Sequence, residues 1–308
     1  MQRRATHVPG ITTLQHAIWS VPVSPDAAGD LVHTLERGGV LFFPGLPFAI
    51  EPGESALFSP DILSSAKNAS FDPSTGRIGG TTLLRGKGAP GSKNAEDLAR
   101  LTGLMRRFSD CARSLVHGLF PAYAGAIQRA RASFRPAEIA GRASSWRKDD
   151  TRLHVDSFPA TPVQGRRILR LFTNVNPAGK PRLWRVGADF EAVAGRFAEA
   201  LSMPWPGSAL LLRALHVTKS LRSPYDALML QLHDRMKADA DFQETSPQTR
   251  VDFPAGSTWL TFTDEVPHAA MAGQYQLEQT FLLPLSAMID ESRSPLRILE
   301  RLKGRRLA

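Results

Sequence analysis

Runs of apolar residues predict β-strands in three regions of the chain. The first region is the run 40–43, which follows two glycines and ends at Pro44. The middle region holds two strands, around 152–158 and 166–175, joined by a turn that contains prolines and a glycine. The last region holds the strands 258–262 and 276–283. Strands therefore occupy an early, a middle and a late part of the chain.

Apolar residues at helical spacing predict helices around and between these strands. The helices cover 94–116, with Asn94 as the cap, then 188–201, 209–221 and 223–237. Strands that flank a block of helices differ from alternating βαβ units, so they predict an antiparallel sheet with a helical insertion. The expected fold class is mainly β, of the α+β type, with flanking and inserted helices.

The 308 residues contain no repeat, low-complexity tract or clear linker, which favours a single domain over residues 1–308. Within it, 1–143 is expected to supply N-terminal strands, loops and a packing helix. Residues 144–285 form the core, with the helical insertion at 188–243. Residues 286–308 are expected to form a basic C-terminal tail.

Composition excludes several classes of protein. The apolar runs are far shorter than the ~20 residues of a membrane-spanning helix, and the N-terminus lacks a signal-like apolar stretch. Cys111 is the single cysteine, so an internal disulfide and a cysteine-based zinc site are excluded. These features predict a cytoplasmic protein.

Charge predicts the kind of partner. The net charge is +9 and the isoelectric point is about 10.2, which favours polyanions. No recognisable nucleic-acid module accompanies this charge, so nucleic-acid binding ranks last. The remaining candidates are a phosphorylated substrate and the anionic inner face of a membrane.

The most informative motif is His154-Val155-Asp156. Residues two apart on a strand share a face, so His154 and Asp156 would both point at one metal ion. Two histidines and one carboxylate form the facial triad of non-heme iron enzymes, which leaves coordination positions open. His268, which follows the strand 258–262, is the best third ligand. His233 is the alternative third ligand, but it lies within a predicted helix whose apolar residues account for its position by packing.

The surroundings of this motif resemble the Kdo hydroxylase family, where Kdo is 3-deoxy-D-manno-oct-2-ulosonic acid. The resemblance extends over nearly the whole chain. It is carried by the residues 38–44, 67–68, 145–159, 165–170, 184–187, 256–259, 267–271, 273–274 and 277–281.

The resemblance implies a dioxygenase that uses Fe(II), 2-oxoglutarate and O2 within a double-stranded β-helix, the jelly-roll or cupin-like core. It implies His154, Asp156 and His268 as the iron ligands. The expected reaction is hydroxylation at C3 of the Kdo sugar of lipid A, in lipopolysaccharide biosynthesis. The expected partner is Kdo-containing lipid A at the cytoplasmic face of the inner membrane, with peripheral membrane contact.

The distal carboxylate of 2-oxoglutarate requires a cation, and arginine binds carboxylates through two parallel hydrogen bonds. Many members of the superfamily take this arginine from the strand after the second histidine, but residues 269–284 contain no Lys or Arg. Arg170 is therefore the first choice. The other candidates for contact with 2-oxoglutarate are Arg166, Arg167, Gln276 and Gln279.

Further basic residues are candidates for the substrate. Arg147, Lys148 and Arg152 precede the metal motif and would bind a sugar carboxylate or lipid phosphate, unless they are ion-paired with neighbouring acids. The C-terminal tail contains a group of basic residues, and this tail either contacts anionic lipid or is disordered. This group is Arg297, Arg301, Lys303, Arg305 and Arg306. Trp184 and Trp259 are expected in the core.

Two alternatives remain open at the level of the sequence. The first keeps the dioxygenase chemistry and changes the substrate to another anionic sugar or metabolite. The second is a non-catalytic jelly-roll protein that binds an acidic glycan, in which His154 and Asp156 are structural.

Overall fold

A computed structural model describes residues 10–20, 23–64, 67–84 and 92–308. The strands are β1 Ile11–Thr13, β2 Val40–Phe43, β3 Ala69–Asp72, β4 Arg77–Gly79, β5 Gln128–Arg135, β6 Arg167–Asn174, β7 Arg182–Gly187, β8 Gln248–Phe253, β9 Thr258–Phe262, β10 His268–Ala272 and β11 Gln276–Leu283. The helices are α1 Pro25–Glu36, α2 Lys93–Leu119, α3 Pro121–Ala124, α4 Phe190–Phe197, α5 Ser208–Ala214, α6 Pro224–Ala238, α7 Ala240–Thr245 and α8 Pro295–Lys303.

These strands form two sheets that face each other. The larger sheet has the order β1-β2-β9-β6-β11-β5-β3-β4, and the smaller one has the order β10-β7-β8. All pairings between the described strands are antiparallel except β1 with β2. Phe172 of the larger sheet meets Trp184 of the smaller one, with ring centroids 4.9 Å apart. The fold is a double-stranded β-helix with flanking helices, as the family resemblance implied.

Alternation along β6 explains how the larger sheet is covered on both faces. Leu169 and Leu171 pack with Leu104 and Phe108 of α2 in one core, whereas Phe172 faces the smaller sheet in another. Successive residues of a strand point to opposite faces, so one strand serves the packing core and the interior of the β-helix at the same time. Arg170 is on the interior face with Phe172.

The metal motif is not in a regular strand, and the prediction of a strand at 152–158 is wrong. A single antiparallel bridge joins His154 to His268, and the Asp156 amide donates to the Thr263 carbonyl. The extended backbone still alternates, because Leu153 and Val155 pack into a third core with α4, α6 and α8. His154 and Asp156 point the other way, into a cavity.

Two helix predictions also need correction. The helix expected at 209–221 ends at Ala214. His216 adopts a left-handed conformation with φ 56°, and the Val217 amide donates to the Leu212 carbonyl at 2.9 Å. This Schellman-type arrangement ends a helix. The helix expected from Asn94 begins after Ser92, whose side chain accepts a hydrogen bond from the Ala95 amide.

The C-terminal tail is folded, which excludes the alternative of a disordered end. Ser294 caps α8, Gly304 ends it in the left-handed region, and Leu296, Leu299 and Leu307 are buried. These apolar side chains pack with residues of α4 and α6 in one core and hold the segment against these helices.

None of the described helices combines the length and the apolar character that crossing a membrane would require.

Candidate active site

Three side chains from two parts of the chain converge on one point. His154 and Asp156 come from the extended segment before β6, and His268 is the first residue of β10. One ligating atom from each residue lies within 4.8 Å of the others. The backbones are joined directly, because the His154 amide donates to the His268 carbonyl at 3.0 Å and the reverse bond measures 2.9 Å.

Hydrogen bonds orient both imidazole rings. Nδ1 of His154 lies 2.7 Å from the Arg152 carbonyl, and Nδ1 of His268 lies 2.9 Å from the Val266 carbonyl. A carbonyl can only accept, so each Nδ1 carries the proton and donates it. Each Nε2 is then an unprotonated acceptor, which is the form that binds a metal.

The charges of the triad also suit a divalent cation. Burial lowers the pKa of His154 and of His268, and Lys237 lowers both further. Asp156 opposes this shift but does not outweigh it, so both rings are neutral. Burial acts to raise the pKa of Asp156, but the opposing effects, of which the positive charge of Arg170 is the largest, hold the pKa well below its usual range. The donor set is therefore two neutral nitrogens and one carboxylate.

The triad opens into a cavity of about 290 Å³. Among the described residues, five buried polar side-chain atoms without a hydrogen-bond partner belong to residues that line it. They are Oδ2 of Asp156, Nε of Arg170, Nε of Arg182, Nε1 of Trp184 and Oε1 of Gln276. Buried polar groups are rarely left without partners. Their concentration here fits a metal ion and a polar ligand beside it.

Arg170 lies in the cavity, but its nearest charges are already acidic. Its Nη1 is 3.2 Å from Oδ2 of Asp156 and 3.3 Å from Oε1 of Glu278. The Asp156 contact is an ion pair without an aligned hydrogen bond, because Oδ2 has no hydrogen-bond donor. Glu278 is shared with Arg135, whose Nε lies 3.0 Å from Oε2. The structure therefore places Arg170 beside a ligand of the triad.

The two other candidate arginines of β6 and the turn before it do not line the cavity. Arg166 donates to Gln128 and to the Val163 carbonyl. Arg167 is fully buried between Asp264 and Glu265 on the opposite face, which it shares with the packing residues. Its partners belong to the turn that leads to His268, so Arg167 secures this turn.

Some of the other predicted residues line the cavity and some do not. Gln276 lines the cavity, whereas Gln279 accepts a hydrogen bond from Ser109 and donates to the Ala130 carbonyl outside it. Arg147 and Lys148 line the cavity, and Nε of Arg147 also forms an ion pair with Oδ2 of Asp234 at 3.1 Å. Arg152 does not line the cavity, because its guanidinium donates to the carbonyl of Lys237.

The aromatic and histidine predictions have mixed outcomes. Trp184 and Trp259 are buried in one core, as expected, but Trp184 also stacks on His268 with centroids 5.1 Å apart. His233 does more than pack within its helix. Its ring lies 5.3 Å from the ring of His154, and it lines the cavity.

Sequence reasoning did not identify four cations of the cavity, Lys67, Arg135, Arg182 and Lys237. Alternation was the available signal for Arg182, because Arg182, Trp184 and Val186 fall on one face of β7 and are buried. For Lys67 the signal was absent, since its partner Asp150 lies more than eighty residues further along the chain.

The fold and the site together define a non-heme iron dioxygenase that depends on 2-oxoglutarate. A family model described as 3-deoxy-D-manno-oct-2-ulosonic acid (Kdo) hydroxylase matches residues 19–306. The chain therefore belongs to the Kdo hydroxylase family, and it is an enzyme that hydroxylates Kdo with Fe(II) and 2-oxoglutarate.

Solved structures of the Kdo hydroxylase KdoO are similar over almost the whole chain. The complex with alphaketoglutarate (2-oxoglutarate) and Fe(III) is 42% identical with a TM-score of 0.90, and 97% of each chain is covered. The cobalt(II) complex is 44% identical with a TM-score of 0.90, covering 96% of this chain and 97% of that one. The complex with succinate and Fe(III) is 43% identical with a TM-score of 0.89 and the same coverage. Among curated proteins there is no match.

Proposed function

We propose that this protein hydroxylates C3 of a Kdo residue carried by lipid A, with His154, Asp156 and His268 as the iron ligands. The observation that carries the proposal is the triad, whose ligating atoms lie within 4.8 Å of one another at the wall of a cationic cavity. When bound, Fe(II) with 2-oxoglutarate and O2 supplies the oxidising chemistry. The side chains position the reactants and exclude side reactions.

Arg182 is the residue best placed to bind the distal carboxylate of 2-oxoglutarate. It is 3% exposed, and no carboxylate of the described residues lies within ion-pair distance of it. Burial, aided by repulsion from Arg135, lowers its pKa to about 9. A buried guanidinium without an acidic partner is costly, and a dicarboxylate ligand would supply that partner. This assignment replaces Arg170, which already contacts Asp156 and Glu278.

The balance of charge in the cavity favours an acidic sugar. Seven Lys or Arg side chains and three Asp or Glu side chains line it, so a bound carboxylate is attracted. Arg147 and Lys148 are on the wall formed before the metal motif, and Lys237 reaches the same region through a hydrogen bond to the Arg147 carbonyl. These residues are placed to bind the carboxylate of Kdo or a lipid phosphate.

The lipid-linked substrate also sets the place of action. We expect the protein to work in the cytoplasm, at the inner face of the membrane. The net charge of +9 supports attraction to that anionic surface.

Mass spectrometry tests the proposal. Incubating the protein with Fe(II), ascorbate, 2-oxoglutarate and Kdo-containing lipid A should add one oxygen to the sugar, and NMR of the product should place it at C3. His154→Ala should abolish both product and succinate, whereas His117→Ala, an exposed histidine of α2, should not. Oxygen added to a different acidic sugar, with none added to Kdo-containing lipid A, would contradict the proposed substrate.

A further inference from the structure

The segment 203–222 exposes an unusual amount of apolar surface. Nine large apolar side chains are exposed among the described residues, and six of them fall between Trp205 and Leu221. These six are Trp205 (85% exposed), Leu210 (65%), Leu211 (60%), Leu215 (64%), Val217 (50%) and Leu221 (37%). Contiguous exposed apolar surface marks an interaction site more often than scattered single residues do.

An ordered backbone holds these side chains outward. Helix α5 has no buried residue, yet hydrogen bonds fix the turn that follows it, since the amides of Val217 and Thr218 both donate to the Leu212 carbonyl. Thr218 is 3% exposed, so the return of the chain is anchored in the protein. The apolar side chains are therefore displayed on a fixed scaffold.

The charge of the segment identifies the chemistry of its partner. No Asp or Glu occurs between Glu199 and Asp226, whereas Arg213, Lys219 and Arg222 are all basic. None of these three makes an ion pair with a carboxylate of the described residues. Exposed leucines and a tryptophan beside unpaired cations are the composition of helices that lie in the interface of an anionic bilayer.

The segment is attached to the mouth of the active-site cavity. The Arg222 guanidinium donates to the Pro159 carbonyl at 2.6 Å, and the Lys219 amide donates to the Ala160 carbonyl at 2.9 Å. Phe158 and Pro159 line the cavity. A partner that binds to this segment would therefore lie next to the entrance of the cavity that holds the triad.

We propose that the segment 203–222 is a membrane-docking element, which inserts its apolar side chains into an anionic phospholipid bilayer and holds the cavity mouth at the bilayer surface. The inference rests on the proposed function only for the lipid-linked substrate that docking would present. Trp205 is suited to the interface because its ring is large and apolar with one polar N–H.

Vesicle sedimentation tests this directly, without turnover. The protein should bind vesicles of phosphatidylglycerol and phosphatidylethanolamine, and should bind phosphatidylcholine vesicles much less. Leu210→Ser combined with Leu211→Ser should weaken binding at least tenfold, on the order expected when two leucines no longer insert. The matched control, Ile289→Ser with Leu302→Ser, removes two exposed apolar side chains elsewhere and should change binding by less than twofold.

Three results would overturn the inference. They are failure of the wild-type protein to prefer anionic vesicles, unchanged binding by the Leu210/Leu211 variant, and a homodimer that this variant converts to a monomer in analytical ultracentrifugation. A variant with Arg305→Gln and Arg306→Gln tests the C-terminal tail. Loss of binding there, with full binding by the Leu210/Leu211 variant, would move the membrane contact to α8 and also overturn the inference.

Activity separates this inference from the proposed function. The Leu210/Leu211 variant should hydroxylate vesicle-bound Kdo-lipid A with a raised KM, while its conversion of a soluble Kdo substrate stays at the wild-type level. Wild-type protein that binds anionic vesicles but hydroxylates no Kdo substrate would contradict the proposed function and support docking.

Discussion

Arg182 and Arg170 share one cavity but have different neighbours, which gives each a different expected role. Arg182 has no carboxylate within ion-pair distance among the described residues, and Arg170 lies 3.2 Å from Asp156. The Arg182 guanidinium donates to the Gly273 carbonyl, but a buried cation without an acidic partner suits an anionic ligand. A cation beside a metal ligand instead suits the positioning of that ligand.

Arg182→Met is expected to raise the KM for 2-oxoglutarate about 10- to 100-fold, because a hydrogen bond to a charged group contributes about 1.5–3 kcal/mol. Steady-state succinate formation at varied 2-oxoglutarate measures it. Arg166→Met is the control, since Arg166 lies outside the cavity lining and bonds to Gln128. If Arg170→Met raised this KM and Arg182→Met did not, Arg170 would be the anchor.

Arg170→Met is expected to weaken Fe(II) binding about tenfold or more, with a smaller effect on the KM for 2-oxoglutarate. Arg170 favours the ionised form of Asp156 and contacts its second oxygen, and loss of such outer contacts typically costs 10–100-fold in metal affinity. Titration of the chelated protein with Fe(II) under anaerobic conditions measures the affinity. An unchanged metal Kd would show that Asp156 is oriented without Arg170.

At the scale of elements, the turn between β9 and β10 holds a buried charge cluster. Arg167 is fully buried, its Nε lies 2.8 Å from Oδ2 of Asp264, and its Nη2 contacts Glu265. Burial raises the pKa of Glu265 to about 8, with Asp264 adding to the rise and Arg167 opposing it. One guanidinium cannot neutralise two buried carboxylates, so Glu265 retains its proton into the neutral range.

Glu265→Gln should therefore change the pH dependence of stability. The folded-state pKa lies above the unfolded value of about 4.3, so this group contributes its full stabilisation below pH ~4.3 and loses it as pH rises towards 8. Urea unfolding at pH 5, 6, 7 and 8 should show wild-type stability falling relative to the variant. Parallel curves would mean that Arg167 keeps Glu265 ionised throughout.

The sequence predicted the elements whose signal is local. Alternation along β6 placed Arg170 inside and Leu169 outside, and the His-x-Asp spacing placed both ligands on one face even though the regular strand was wrong. The prediction of a regular strand at 152–158 was wrong because the local pattern reports only burial. The pattern does not show that the backbone hydrogen bonds of this segment go to Thr263 and His268. Partners more than one hundred residues away leave no local trace.

The role of Arg182 could not be predicted for the same reason. Its surroundings depend on how β7 pairs with β10 and on which carboxylates are already shared elsewhere. The sequence contains 38 Lys and Arg residues, and only the tertiary structure shows which of them line the cavity and have no acidic partner there. The predicted helix at 209–221 was too long because the chain leaves the helix after Ala214, where His216 adopts a left-handed conformation.

At the scale of the whole molecule, the C-terminal helix closes one of the cores. Leu296, Ile298, Leu299 and Leu307 are buried against α4 and α6. Deleting residues 295–308 would expose this core, and each buried side chain of this kind contributes about 1.5–3 kcal/mol. The sum is comparable with the total stability of a domain.

Truncation before Pro295 should therefore yield protein that is unfolded or aggregated, as judged by circular dichroism and gel filtration. Arg305→Gln with Arg306→Gln, which leaves the apolar contacts in place, should unfold at the wild-type temperature. A truncated protein with a wild-type melting temperature would show that α8 is dispensable to the core.

The paired backbone bonds between His154 and His268 have a consequence for how the metal is exchanged. Residues 114 positions apart are held together by two amide hydrogen bonds of 3.0 and 2.9 Å, which need no ion to form. The site is thus preorganised. In zinc fingers, by contrast, metal binding supplies the free energy that folds the protein. Chelated protein should keep its native circular dichroism spectrum, and added metal should raise its melting temperature only by mass action. Loss of iron would then inactivate the enzyme reversibly, because the metal-free protein would stay folded and could bind another ion.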